Sequence, residues 1–267
     1  MKYHILILTL FIQTICQAQA DTSLPLYKIV GNNIADFTTD NLGNIYLLST
    51  NNQLKKLNPN GDSVAVFNDV RRFGKLYQID ASNPLKVLLY YKDFSTVVAL
   101  DRFLNIRNTI DLRRLKLYQV KTIGQSFDNG VWVYDEQEAK LKRVADDGTI
   151  KEQTGDLRQQ LEEAPAPDFI TDQERLVYLY DSTRGLLVFD YFGNVKNKVA
   201  LTGWQDFQVI GTVIFGRKGT LLERYQLNTL QLQEKNLPGI LHNTTRIHIA
   251  INRLYCLKQG RLYIYSL

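Results

Sequence analysis

Three features of the sequence predict an all-β chain, a six-bladed β-propeller closed by an N-terminal strand joining the last blade. A unit of short strands recurs six times at a spacing of about 40 residues. Turn dipeptides fall where hairpins need them. A lone alternating segment, Leu26-Tyr27-Lys28-Ile29-Val30, precedes the first unit, and the last unit is one strand short. Four short strands cannot bury two apolar faces alone, so each unit needs neighbours of its own kind.

The elements follow in order. Asp36-Phe37-Thr38-Thr39-Asp40 reads as a first strand. Leu76-Tyr77-Gln78-Ile79-Asp80, Leu117-Tyr118-Gln119-Val120-Lys121, Asp168-Phe169-Ile170-Thr171-Asp172, Asp206-Phe207-Gln208-Val209 and Arg246-Ile247-His248-Ile249 echo it. Each leads through a turn into a more apolar strand: Ile45 to Leu48, Val87 to Tyr91, Val131 to Tyr134, Leu176 to Tyr180, Val213 to Phe215 and Leu254 to Leu257. Third strands are Leu54 to Leu57, Thr96 to Leu100, Leu141 to Ala145, Gly185 to Asp190, Leu221 to Leu227 and Leu262 to Tyr265. Asn60-Gly61, Asp147-Gly148 and Gly193-Asn194 turn the chain into fourth strands at Val64 to Phe67, Ile150 to Gln153 and Lys196 to Leu201. Asn108 to Leu112 and Leu230 to Asn236 complete units two and five. Asp156 to Glu163 breaks the pattern and predicts a short surface helix with Asp156 as its cap, ended by Pro165 and Pro167.

The chain opens Met1-Lys2-Tyr3-His4, runs apolar from Ile5 to Cys16 and ends this segment at Ala18-Gln19-Ala20. That is the layout of a secretory signal peptide over residues 1–20, followed by one propeller domain over 21–267. The run is shorter than the roughly 20 residues of a spanning helix. Cys16 follows Ile15, where a lipidation site wants a small residue. The mature chain keeps Cys256 alone, so it holds no intrachain disulfide, and its apolar strand predicts a buried, inert thiol. The net charge of +5 is mildly basic and, in an exported protein, does not point to nucleic acid. Localisation is expected to be periplasmic, outer-membrane-associated or secreted, with no transmembrane segment.

Gly43-Asn44-Ile45-Tyr46-Leu47 with Gln53-Leu54-Lys55-Lys56-Leu57-Asn58-Pro59-Asn60-Gly61 resembles a blade of the NHL-type six-bladed propellers. Val177 to Asp181 with Gly185 to Asp190 is similar. The resemblance implies the fold, and it makes a metal-dependent lactonase or lyase thinkable, because such propellers include enzymes, receptors and scaffolds.

In register, the first strands carry Phe37 and Thr39, Tyr77 and Ile79, Tyr118 and Val120, Phe169 and Thr171, Phe207 and Val209, Ile247 and Ile249 on one parity. That apolar set is expected between blades. The other parity carries Thr38, Gln78, Gln119, Ile170, Gln208 and His248, expected to line the central channel. Asp36, Asp168, Asp206 and Arg246 share its parity and belong at one mouth. Asp40, Asp80, Lys121 and Asp172 belong toward the other end. A water-filled channel wants polar walls in any case, and the mouth carboxylates suit a small polar ligand, a peptide end or a Ca²⁺ ion. Only His242 and His248 remain as histidines in the mature chain, and Asp36 and Asp168 come from opposite blades, so no metal and no cofactor is expected. There is no G-x-S-x-G, H-E-x-x-H, P-loop or C-x-x-C motif.

The links between units read Arg71-Arg72-Phe73-Gly74-Lys75 and Arg113-Arg114-Leu115-Lys116, with Arg158 in the third. Equivalent links share one face of the disc, so Arg71, Arg72, Lys75, Arg113 and Arg114 form an arc for an anionic partner: an acidic envelope or extracellular protein, an anionic polysaccharide or lipid head groups. The sequence therefore points to an exported, non-enzymatic interaction platform. The alternative is a channel-mouth hydrolase or lyase, or a small-ligand receptor, using Asp36, Gln78, Gln119, Asp168, Asp206, Gln208, Arg246 and His248.

Overall fold

The computed structural model describes residues 24–161 and 163–267. The expected signal peptide lies outside the described residues. Twenty-four strands form six four-stranded antiparallel sheets. Blade one runs from Ile34–Thr39 to Ser63–Phe67, blade two from Gln78–Asn83 to Ile106–Asp111 and blade three from Val120–Gln125 to Ile150–Gln153. Blade four runs from Phe169–Gln173 to Val195–Val199 and blade five from Gln205–Ile210 to Gln231–Asn236. Blade six is Arg246–Ala250, Arg253–Lys258 and Arg261–Ser266, and Leu26–Val30 is its outer strand. That strand pairs antiparallel with the C-terminal one, Leu26 opposite Tyr265 and Val30 opposite Leu262. The ring is thus latched by both ends of the chain, as the unpaired N-terminal segment predicts.

Second strands are mostly apolar because both faces of each blade are buried. All six residues of Lys86–Tyr91 are buried. Val87, Leu89 and Tyr91 fill the seam between blades one and two, while Leu88 and Tyr90 fill the next. Six clusters of this kind occupy the six seams. Cys256 is buried in the seam of blades five and six.

A repeated turn shapes the face opposite the links. Asp40 Oδ1 accepts from the backbone N–H groups of Leu42 and Asn44, and Asn44 Nδ2 donates to Asp40 Oδ2. Asp101 with Asn105, and Asp190 with Asn194, repeat the arrangement.

The helix expected over Asp156 to Glu163 is a single 3-10 turn, Leu157–Gln159, capped by Asp156. It is also no break in the repeat. Val70–Phe73, Leu112–Leu115 and Gly239–Leu241 are short helical turns at the equivalent point of three other links. Each link must carry the chain from the rim to the axis in a few residues. Each drops one buried apolar side chain into a seam on the way: Phe73, Leu112, Leu157 and Leu241.

Candidate functional site

The first strand of every blade starts from a link, so all six point the same way and their starts gather at one end of the channel. The links lie on that same face. The mouth holds a cavity of about 310 Å³ lined by Asp36, Asp168, Asp206, Gln208, Arg246 and His248, with Phe169, Phe207 and Ile247 among its apolar walls. Four blades contribute, and blades one and four bring Asp36 and Asp168 from opposite sides. The parity argument therefore assembles most of the expected mouth.

Two of the carboxylates sit at irregularities of their strands. The ladder shifts register between Ile34 and Asp36 and again between Gln205 and Gln208. Asp206 itself adopts φ +55°, a left-handed conformation that Asp tolerates better than most residues. Bulges of this kind re-aim a side chain out of the regular alternation.

Each mouth carboxylate meets its own cation. Arg246 donates to Asp36 at 2.5 Å, Arg217 to Asp206 at 2.5 Å and Lys121 to Asp168 at 2.6 Å. The Asp206 pair is buried, with both side chains about one-tenth exposed, whereas Asp36, Asp168, Arg246 and Lys121 each remain about a third exposed. Burial pushes the Asp206 carboxyl above the usual carboxylate range despite Arg217. For Asp168 burial also acts upward, but the bonds from Lys121 and Ser182 outweigh it and the carboxyl titrates below that range. Arg246 lies over the Phe37 ring, 5.9 Å from its centroid.

The channel amides hold blades together. Gln208 Oε1 accepts from Ile249 N–H at 2.8 Å and its Nε2 donates to Ile249 C=O at 3.2 Å. Gln78 does the same to Ile123 of blade three, at 3.1 and 2.8 Å, and also accepts from the Thr122 hydroxyl. Because Ile249 fixes the Gln208 amide, its Nε2 can only donate to His248 Nε2, 3.1 Å away. The ring proton is therefore on Nδ1. Burial, helped by nearby Arg246, lowers the His248 pKa to about 3, so the imidazole is neutral.

Four expectations change. Gln119 is exposed and precedes its strand, which begins at Val120. A bulge between Val120 and Ile123 puts Thr122 in the place expected for it. The same shift brings Lys121 to the mouth beside Asp168, not to the far end. Tyr77 and Tyr118 lie in the links, 50% and 58% exposed, rather than between blades. Gln78 is in the channel, but its amide is committed to blade three. Alternation alone misses Arg217 as a mouth cation; its signal is its place across the ladder from Gln205, next to Asp206.

On the surrounding face, Arg71, Arg72 and Lys75 are exposed and in no ion pair among the described residues. Arg113 and Arg114 approach Asp111 only at 3.8 and 3.6 Å. Asn52 braces this region, donating to Gly74 C=O and accepting from Leu76 N–H. Arg158 folds back onto the Asp156 carboxylate and the Glu138 carbonyl, which takes it out of the arc. Among the described residues no three metal-ligating side chains cluster, and no helix is long and apolar enough to cross a membrane.

The architecture is that of a six-bladed β-propeller, and the likeness to solved structures agrees. The chain is similar to the WD40 domain of Neurospora crassa Pan2, with TM-score 0.65 and 8% identity over 88% of this chain and 89% of that one. It is similar to the β-propeller domain of Myceliophteria thermophila Cps50 (Swd1), with TM-score 0.62 and 9% identity over 91% and 99% of the two chains. Virginiamycin B lyase of Staphylococcus aureus gives TM-score 0.58 and 13% identity over 86% and 79%. At these identities the likeness extends to the fold alone. No family model matches the chain, and no curated protein matches it in sequence.

Proposed function

We propose that this chain is an exported, non-enzymatic propeller that works as a protein-interaction platform in the cell envelope, periplasmic, outer-membrane-associated or secreted. The partner is an envelope or extracellular protein with an anionic surface. The NHL-like residues of blades one and four and the signal-type N-terminus support this reading. One observation carries it. Arg71, Arg72, Lys75, Arg113 and Arg114 stand on two adjacent links, and among the described residues the only ion pairs any of them makes are the long ones from Arg113 and Arg114 to Asp111, at 3.8 and 3.6 Å. Uncompensated charge on a braced surface raises the encounter rate with an opposite surface and sets its salt dependence.

The test is capture of envelope proteins by the mature chain, compared with the variant carrying Arg72→Glu and Arg114→Glu. The expected result is a captured protein that is lost in the variant and released as ionic strength rises. Identical capture by both proteins removes this face from the function.

A further inference from the structure

The mouth cavity has a charge pattern that the arc does not use. Its three carboxylates are balanced by Arg246, Arg217 and Lys121, so the site as a whole is neutral while its walls carry both signs. Two of the pairs, Asp36 with Arg246 and Asp168 with Lys121, keep about a third of their side-chain surface open. The third is nearly buried, with both side chains about one-tenth exposed. Phe169 and Phe207, with ring centroids 5.5 Å apart, line the same cavity.

Consider what such a site accepts. A simple anion that takes Arg246 strands Asp36, and a simple cation that takes Asp36 strands Arg246. Either leaves one charge on the cavity wall unmatched, a modest cost at this exposure that a ligand of one sign cannot recover. A ligand with both charges replaces both partners at once and leaves every charge matched. The apolar wall then favours a ligand with an apolar part between or beside those charges.

We infer that the mouth is a binding site for a small zwitterion, a free α-amino acid with an apolar side chain. Its carboxylate sits on Arg246 as a two-donor guanidinium contact. Its ammonium sits on Asp36, beside that guanidinium, and its side chain rests against Phe169 and Phe207. His248, locked by Gln208, contributes a neutral wall that adds no unmatched charge.

Calorimetric titration of the mature chain with phenylalanine, phenethylamine and 3-phenylpropionate tests this. The three share an apolar body and differ in which charge they carry. Phenylalanine is expected to bind, with each single-charge analogue weaker by about tenfold or more. Arg246→Gln is expected to weaken phenylalanine by about tenfold while leaving its β-sheet circular dichroism unchanged. Should that variant misfold, Asp36→Asn, whose ion pair is about a third exposed, carries the same expectation for the ammonium. Equal binding of either analogue, or no heat from phenylalanine at millimolar concentration, overturns the inference. The Arg72→Glu, Arg114→Glu variant titrates like the unmodified chain, so loss of this site and loss of partner capture are separate results.

Discussion

The channel has three aspartates at each end, and the two ends treat them differently. At the mouth, Asp36, Asp168 and Asp206 each face a side-chain cation. At the far end, Asp40, Asp80 and Asp172 accept from backbone N–H groups and neutral side chains. Asp40 takes Leu42, Asn44 and the Tyr46 hydroxyl. Asp80 takes Ser82 and Gln125. Asp172 takes Phe127 N–H at 3.1 Å, Trp132 Nε1 at 2.9 Å and the Tyr191 hydroxyl at 2.6 Å. A carboxylate bonded to the main chain of its own turn or the next blade is part of the scaffold. A carboxylate opposite a partly exposed cation, as at Asp36 and Asp168, can exchange that partner. The same residue type is thus structural at one end and available at the other.

Removing Asp172 gives the largest effect. It joins blade three to blade four, and Trp132 is buried. Alanine there leaves the buried indole N–H without an acceptor, at about 1–3 kcal/mol, and also removes the bonds from the Tyr191 hydroxyl and the exposed Phe127 N–H, each worth about 0.5–1.5 kcal/mol. Chemical denaturation of Asp172→Ala is expected to show a loss of about 3 kcal/mol or more. A loss no larger than that of a mouth substitution would erase the contrast between the two ends. Burial holds Asp172 above the usual carboxylate range even though three donors reach it. Its folded pKa therefore exceeds the unfolded value near 3.9. Its contribution is fully present below that value and is lost as pH rises through the folded pKa. Asp168, depressed in the folded chain, behaves oppositely: its contribution is present above about pH 4 and is lost on acidification. Comparing the stability of Asp172→Asn and Asp168→Asn between about pH 3 and 7 should therefore show slopes that depart from the parent in opposite directions.

Much of this is legible in the sequence because the fold repeats. Six weak copies of one pattern constrain each other, so the blades, the closing strand at Leu26–Val30 and the shared mouth of Asp36, Asp168, Asp206 and Arg246 follow from counting and from strand alternation. Alternation fails where a bulge inserts residues, and nothing in Leu117 to Lys121 marks the bulge after Val120. That is why it misplaces Gln119 and Lys121 but not His248, whose strand pairs without a shift. The partners of a side chain are also illegible. Gln78 and Gln208 look like ligand-binding amides, and only the neighbouring main chain at Ile123 and Ile249 shows that they hold blades together. The link turns are hidden for another reason: one buried residue, such as Phe73 or Leu112, defines each of them, and a single residue has no period.

Gln208 lies between the two extremes. It sits at the mouth but bonds like a far-end carboxylate, with both amide atoms on Ile249. Gln208→Ala removes two inter-blade hydrogen bonds, each worth about 0.5–1.5 kcal/mol net, so a loss of about 1–3 kcal/mol is expected by denaturation. It also frees His248. In the parent, the imidazole contributes stability above its unfolded pKa of about 6.5 that is lost as pH falls toward its folded value of about 3. With Gln208 gone, the ring loses its amide neighbour and becomes more exposed, and the acid sensitivity between those values is expected to shrink. An unchanged pH profile would show that the seam, not Gln208, keeps the ring neutral.

Asp36→Asn should have the smallest effect on stability. Its pair with Arg246 spans blades six and one but is about a third exposed on both sides, and pairs of that exposure contribute about 0–1 kcal/mol. An asparagine at this position also keeps a side-chain oxygen for the Phe37 N–H, which Asp36 accepts at 2.8 Å. Denaturation should therefore place the variant within about 1 kcal/mol of the parent, while the charge balance of the mouth changes by a full unit. A protein as stable as the parent but altered in what its mouth accepts is the outcome that separates a recognition pair from a scaffold bond. A large loss of stability would place Asp36 with Asp172 instead, as a carboxylate the fold needs.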